Sequence, residues 1–259
     1  MMNSTIKKGL FSVFGNKLMQ NILEKVAFSC EYFMGIGSGA TVGASGESVV
    51  FSLIKNNNPI IFDVGANQGQ FAKEALKFSD GIVYSFEPSK KTFDMMKINI
   101  NNNRHKAFNI GLGAKKSIMK LYYDDAGSGL ASLTKRDLDL LKINFDKSED
   151  VQIDTVDNFC KENNVNRIDL LKIDVEGHEL DVLHGSKIIF DNVKIVMFEF
   201  GGCNMDTKTY FRDFYKFFKD KNMEIYRITP SGYLHKLGDY KEAYEQFRTT
   251  NFIAKRNNE

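Results

Sequence analysis

Four ionisable residues crowd the end of one apolar run. In LLKIDVEGHE (170–179), Asp174, Glu176, His178 and Glu179 lie in or just beyond a stretch from Ile168 to Val175. A strand buried on both faces should close on a turn, so these groups need a reason. A histidine next to carboxylates suits proton transfer around neutrality, its unperturbed pKa being about 6.5. The pattern nominates His178 as a general base, with Asp174 orienting it or a substrate. Glu176 and Glu179 fit a helix start, where acids favour the macrodipole. The bland reading of His178 is a helix-start residue facing solvent. The same region admits a second chemistry, because Asp174, His178 and Glu199 would be an ordinary mixed ligand set for a divalent cation. That spacing is not specific to metals.

A second cluster lies upstream. FDVGANQGQF (62–71) reads D-x-G-x-x-x-G and lacks the third glycine of a dinucleotide fingerprint. A carboxylate at Asp63 would repel a pyrophosphate and suit a ligand that carries positive charge. S-adenosylmethionine, with a sulfonium and an ammonium, is such a ligand. Gly65 would let backbone approach it, and Gly69 would let the next helix pack close. Glu87 follows Asp63 and ends the next apolar run, where an acid about 20 residues on commonly accepts ribose hydroxyls. The alternative is a plain turn with Asn67 as a helix cap.

These residues need a scaffold that brings them together. Apolar β-branched runs at 59–65, 81–88, 106–113, 167–175 and 193–200 alternate with helical spacing at 67–78, 89–101, 156–164 and 178–190. Extra strands are expected at 117–125 and 149–155, an aromatic-rich helix at 208–221, and a closing antiparallel pair at 223–229 and 251–256. The alternation predicts an α/β fold with a mostly parallel sheet and right-handed crossovers. Ligands in such sheets sit beyond the carboxyl ends of the strands. That places 63–69, 87–88, 109–113, 174–178 and 199–204 around one cleft. Residues 6–28 repeat apolar side chains every four positions, which predicts an amphipathic helix that covers the core, forms a homodimer contact or lies on a membrane surface.

Composition narrows the classes. The chain has 259 residues, 42% hydrophobic and 26% charged, with a formal net charge of +2. That balance disfavours a broad phosphate-neutralising surface and hence a nucleic-acid partner. The three prolines are never adjacent and no Pro-Cys occurs, so the base-methylating motifs are missing. Cys30, Cys160 and Cys203 lie far apart, which suits a reducing, cytoplasmic setting. No apolar run reaches the roughly 18 residues of a membrane span, so stable membrane insertion is not expected.

The chain resembles the FkbM family of S-adenosylmethionine-dependent methyltransferases. The resemblance rests on SGE (45–47), IIFDVGANQGQF (60–71), FEP (86–88), NIGLG (109–113), LLKIDVEGHELDVLHG (170–185) and FEF (198–200). It implies a Rossmann-like class I methyltransferase fold: a seven-stranded sheet with a reversed last strand and helices on both faces. Residues 1–45 would be an N-terminal helical extension and glycine-rich loop, and 46–259 the methyltransferase domain. The resemblance implies cofactor contacts at Asp63, Gly65, Asn67, Gly69 and Glu87, with Asn109 near the adenine side and Glu47 near the methionine end. Asp174 joins that set. Family members typically methylate hydroxyls, often of sugars. His178 would then take the proton of the acceptor alcohol, a contribution of about 10²–10⁴-fold.

The substrate side is expected in YYDDAGSGLASLTKR (122–136) and around 199–204. Ser128 and Ser132 could bond sugar hydroxyls, and Lys135 and Arg136 a phosphate, as on a nucleotide-activated sugar. Glu199 and Asn204 complete the substrate candidates. Abundant Lys, Asn, Ile and Phe without Trp suggest a bacterial gene, for which capsule or lipopolysaccharide sugars are plausible acceptors. Competing readings are a methyltransferase of another small molecule and a non-catalytic nucleotide-binding protein on the same fold.

Overall fold

The computed structural model describes residues 11, 13–39, 45–125 and 127–256. Residues 6–10 and 12 of the expected N-terminal helix and 40–44 of the glycine-rich loop lie outside them.

Alternating side-chain direction builds the centre of the molecule. In β1 (Ile60–Val64), Ile61 enters one apolar cluster while Phe62 and Val64 enter the other. β2 (Ile82–Phe86) and β3 (His105–Phe108) follow on one side, and β7 (Ile168–Ile173) and β8 (Val193–Phe200) on the other, all parallel. β11 (Thr250–Arg256) runs antiparallel between β8 and β9 (Met223–Ile228). With a short edge strand β10 (Leu234–Lys236), the order is β3-β2-β1-β7-β8-β11-β9-β10. The reversed last strand is therefore present. The sheet has eight strands rather than seven, because β10 (Leu234–Lys236) adds a short antiparallel edge to β9. His235 and Lys236, two of its three residues, hid it from a search for apolar runs.

The expected strand 106–113 breaks in two. β4 (Gly111–Leu112) leaves the main sheet and pairs with β6 (Lys147–Asp154), which pairs in turn with β5 (Ser117–Tyr123). This small sheet stands over the carboxyl end of β2.

Helices cover both faces. α2 (Val49–Ser52), α3 (Gln70–Phe78) and α4 (Lys90–Asn99) bury Val50, Phe51, Phe71, Ala72, Ala75 and Met96 on one side. α5 (Val156–Glu162), α6 (Glu179–His184) and α8 (Phe211–Asp220) cover the other. Phe159 of α5 stands edge-on to Phe62, Phe86 and Phe108 at 5.6, 4.7 and 4.8 Å. Phe214 of α8 stacks on Phe198 at 5.0 Å, so the aromatic helix serves the core. Truncating one such ring costs about 3–5 kcal/mol. The helix expected over 178–190 stops at His184, and a separate 3₁₀ turn spans Ile189–Asn192. A short helix, α7 (Cys203–Thr207), precedes α8.

α1 (Lys17–Phe33) buries none of its residues. It meets the rest of the chain at its end, where Arg227 Nε donates to Met34 O at 2.7 Å and Arg248 pairs with Glu31. No helix among the described residues is long and apolar enough to cross a membrane.

Candidate functional site

The strand order reverses between β1 and β7, and a crevice opens there beyond their carboxyl ends. The cleft is about 760 Å³ including its mouth and is floored by Val64, Gly65, Asn67, Glu87, Asp174 and Glu176. Leu112, Leu121 and Ile153 of the small sheet wall it, and Gly129, Ala131 and Leu133 roof it.

The floor begins with a turn only glycine can make. Gly65 has φ +75, and a Cβ there would stand 1.7 Å from Asp174 O. Its N–H donates to Phe86 O at 3.0 Å, tying the turn to β2. Gly69 caps α3 at φ +85, and a Cβ there would meet Ile100 Cδ1 at 2.5 Å. Asn67 between them is left-handed at φ +46, and its Oδ1 is buried without a hydrogen-bond partner. Glu87 accepts from Asn67 N at 3.0 Å and Ser89 N at 2.9 Å. Burial lifts its carboxyl to about 7, against the pull of those two N–H groups. Asn109 reaches the underside of this corner, donating from Nδ2 to Glu87 O and Pro88 O at 2.9 Å.

Beneath the floor Asp63, Asp174 and Glu47, all expected at the site, surround Lys172, which was not expected there. Lys172 of β7 is buried, and its Nζ stands 3.3 Å from Asp63 Oδ1, Asp174 Oδ2 and Gly65 O. Burial opposes its charge, but Asp174, Asp63 and Glu47 outweigh that and hold it above the usual lysine range. Asp63 is fully buried, its Oδ2 has no hydrogen-bond partner, and burial raises its carboxyl. Glu47 is buried and raised for the same reason, and accepts from Asn251 Nδ2 at 3.5 Å. The available signal was a lysine between the apolar residues Leu171 and Ile173 of a buried strand.

At the cleft's open side, oxygens of Asp174, Glu176 and Glu199 lie within 4.8 Å of one another. Burial and the Asp174 charge lift Glu176 to about 8, although Arg136 Nη1 sits 2.9 Å from its Oε2. Glu199 is pushed well up by burial and then by Asp174 and Glu176. Glu176 is thus a cleft residue at φ +53 rather than a helix-dipole residue. Glu179 instead holds the turn: fully buried, its Oε1 accepts from Val175 N and Gly177 N at 3.1 and 3.0 Å.

Several expected site residues face elsewhere. His178 precedes α6, and its ring is bonded on both sides, Nδ1 to Asp181 Oδ2 at 2.7 Å and Nε2 to Thr134 Oγ1 at 2.9 Å. Its orienting partner is therefore Asp181 rather than Asp174, and Glu176 takes its place beside Asp174 and Glu199 in the cluster that could hold a cation. Asn204 does not reach the cleft: it is fully buried, with Nδ2 donating to Glu179 Oε2 and Thr209 Oγ1 and Oδ1 accepting from Gly201 N. Ser132 is buried and donates to Glu176 O at 2.8 Å. Arg136 is not open to a phosphate, because Glu176 and Asp206 occupy it, the latter at 3.1 Å from Nε.

The arrangement offers buried carboxylates below for a cationic ligand, one carboxylate poised between two strand ends, and a three-acid cluster beside the opening. The unpartnered oxygens of Asp63 and Asn67 and the glycine-made turn fit S-adenosylmethionine, a ligand with positive charge and several donors.

A family model described as the methyltransferase FkbM domain matches residues 63–225, more than half of the chain. The 2-O-methyltransferase NoeI of Sinorhizobium fredii is 24% identical over 162 residues, covering 58% of this chain and 67% of its own length. The hexuronic acid methyltransferase AglP of Haloferax volcanii is 26% identical over 157 residues, covering 60% of this chain and 62% of its own length. The chain thus spans about three fifths to two thirds of these two curated relatives. Among solved structures, magnesium protoporphyrin IX methyltransferase of Synechocystis PCC 6803 is 11% identical with a TM-score of 0.43, covering 83% of this chain and 79% of that one.

Proposed function

We propose, for a chain that belongs to the FkbM methyltransferase family, that it transfers a methyl group from S-adenosylmethionine to a hydroxyl of a sugar. The observation that carries this is the meeting, in one cleft, of the Gly65–Asn67–Glu87 corner with Asp174 and Glu176. The first group suits the cofactor, and the second suits an acceptor that must lose a proton. The names of NoeI and AglP support a sugar acceptor.

When bound, S-adenosylmethionine supplies a methyl group activated by a positive sulfur. The chain's own residues do the rest. Glu87 accepts ribose hydroxyls, Asn67 bonds beside it, and Asp63 and Glu47 supply negative charge under the methionine end. Gly69 brings α3 close, and Asn109 braces the corner that carries Glu87. Holding the acceptor oxygen in line lowers the entropic cost of the displacement. Asp174, the half-exposed member of the acidic cluster, accepts the hydroxyl proton, with Glu176 and Glu199 beside it. The apolar walls of Leu112, Leu121 and Ile153 line the cofactor end of the cleft, and the acidic cluster stands at its open side.

The 4.8 Å cluster favours one second reading, a divalent cation that polarises the acceptor. Against it, Asp174 and Glu176 already face fixed cations, Lys172 and Arg136.

The acceptor is a nucleotide-activated sugar for a bacterial capsule or lipopolysaccharide, and the enzyme works in the cytoplasm, where free Cys160 and Cys203 persist. The division of the chain into an extension (1–45) and a methyltransferase domain (46–259) belongs to the same reading; among the described residues Gly37 N and Gly39 N bond Thr250 Oγ1 and Thr249 O across it. Calorimetry with S-adenosylmethionine and with NAD tests the cofactor. Release of S-adenosylhomocysteine across nucleotide sugars, free sugars and other small hydroxyl compounds tests the acceptor. Binding of S-adenosylmethionine with no turnover on any of them would favour a non-catalytic protein.

A further inference from the structure

We propose that residues 127–136 form a strap that couples an occupied cofactor cleft to the acidic turn, with Arg136 and Thr134 as positioning residues for Glu176 and His178. The inference rests on the reading of the cleft as a site for S-adenosylmethionine.

Alternate residues of the strap face opposite ways. Gly129, Ala131 and Leu133 roof the cleft. Ser132, Thr134 and Arg136 turn the other way and grip the segment between β7 and α6. Ser132 Oγ donates to Glu176 O at 2.8 Å, Thr134 Oγ1 bonds His178 Nε2 at 2.9 Å, and Arg136 Nη1 donates to Glu176 Oε2 at 2.9 Å. Three contacts from one segment thus fix a turn of three residues, 176–178.

The strap is also moored on the cofactor side. Gln68 Nε2 donates to Gly127 O at 3.0 Å and Asn67 Nδ2 to Ser128 O at 3.5 Å. Gly127 N donates to Thr92 Oγ1 at 3.2 Å. Ser132 and Tyr122 exchange backbone bonds at 2.8 and 3.0 Å, which docks the strap on β5. A ligand that presses on the roof therefore acts on the same backbone that holds Glu176. Glu176 needs such holding, because a non-glycine residue at φ +53 persists only where its surroundings over-determine it. Arg136 can provide it, because separate nitrogens of its planar guanidinium, Nη1 and Nε, pair with Glu176 and Asp206 at once.

The coupling is direct in its chemistry. His178 acts through the strap and not on the acceptor, its second nitrogen being anchored by Asp181. Arg136 keeps the Glu176 carboxylate beside Asp174 without touching substrate itself.

Hydrogen–deuterium exchange with and without S-adenosylmethionine tests the strap, together with calorimetry and turnover. In the native protein the ligand should protect both 127–133 and 175–178. In Arg136→Ala, the dissociation constant should stay within about threefold, 127–133 should still be protected, and 175–178 should not. Its kcat should fall by about 10–100-fold with KM for the cofactor little changed, and guanidinium ion should restore part of it. Thr134→Val, which removes one hydrogen bond, reads the same coupling if Arg136→Ala fails to fold. Retained protection of 175–178 and retained kcat in these variants would overturn the strap, as would cofactor affinity lost in step with kcat. No binding of S-adenosylmethionine to the native protein would overturn the cofactor reading and the strap with it, whereas binding without coupling overturns the strap alone.

Discussion

Lys172 and Asp63 are register partners on neighbouring strands, β7 and β1, with Nζ and Oδ1 3.3 Å apart under the cofactor floor. Both are buried; Lys172 is Asp63's main compensation for lost hydration, while Lys172 is held charged by Asp174 first and Asp63 next. Lys172→Met leaves Asp63 and Glu47 facing each other's charge and should cost about 3–5 kcal/mol. Adding Asp63→Asn should recover much of that loss. Urea denaturation of the two single variants and the double variant measures the coupling.

Glu87 links stability and binding to pH in opposite directions. Its carboxyl is raised to about 7 in the folded protein, against 4.5 as the ordinary value. The free protein therefore gains stability from this group below pH 4.5 and loses it as pH rises through 7. The ionised form is the one that accepts ribose hydroxyls. S-adenosylmethionine should therefore bind about tenfold tighter at pH 8 than at pH 6. Glu87→Gln should flatten this trend and weaken binding at pH 8 by about 10–100-fold. Calorimetry at both pH values checks this.

Gly65→Ala should be poorly tolerated. The left-handed backbone alone costs about 1–2 kcal/mol, and the added Cβ would meet Asp174 O at 1.7 Å. Relief would push the ends of β1 and β7 apart, so cofactor affinity should fall together with the melting temperature. Gly129→Ala, whose Cβ would meet only Asn67 Nδ2 at 3.8 Å, is the comparison variant and should melt close to the native protein.

Exhaustive chelation should leave turnover unchanged. Lys172 and Arg136 already stand against Asp174 and Glu176. A rate that collapses with chelator and returns with a divalent cation would establish the metal reading at Asp174, Glu176 and Glu199 instead.

Much of the scaffold could be read from residues alone, because buried parallel strands are apolar and their ends are marked by Asp63, Gly65, Glu87 and Pro88. β10 escaped because an edge strand needs no apolar face, and β4 because leaving one sheet for another has no local signature. The site was legible where a glycine or acid ends a strand. It was not legible where side chains choose partners across the fold. His178 precedes its helix as its position suggests, yet it turns to Asp181 and Thr134, partners three and 44 positions away. Glu176 looked like a helix-start acid because its left-handed backbone, which aims it at Asp174, depends on contacts from 132 and 136. Lys172 was passed over because a lysine in a strand gains meaning only from its register against Asp63.

The central claim is tested most directly by following a labelled methyl group from S-adenosylmethionine in the presence of nucleotide-activated and free sugars, for the native protein and for Asp174→Asn. The native protein should place one label on a sugar oxygen for each S-adenosylhomocysteine released. Asp174→Asn should bind the cofactor yet turn over about 10²–10⁴-fold more slowly. Label appearing on no sugar, or native turnover in Asp174→Asn, would contradict the account.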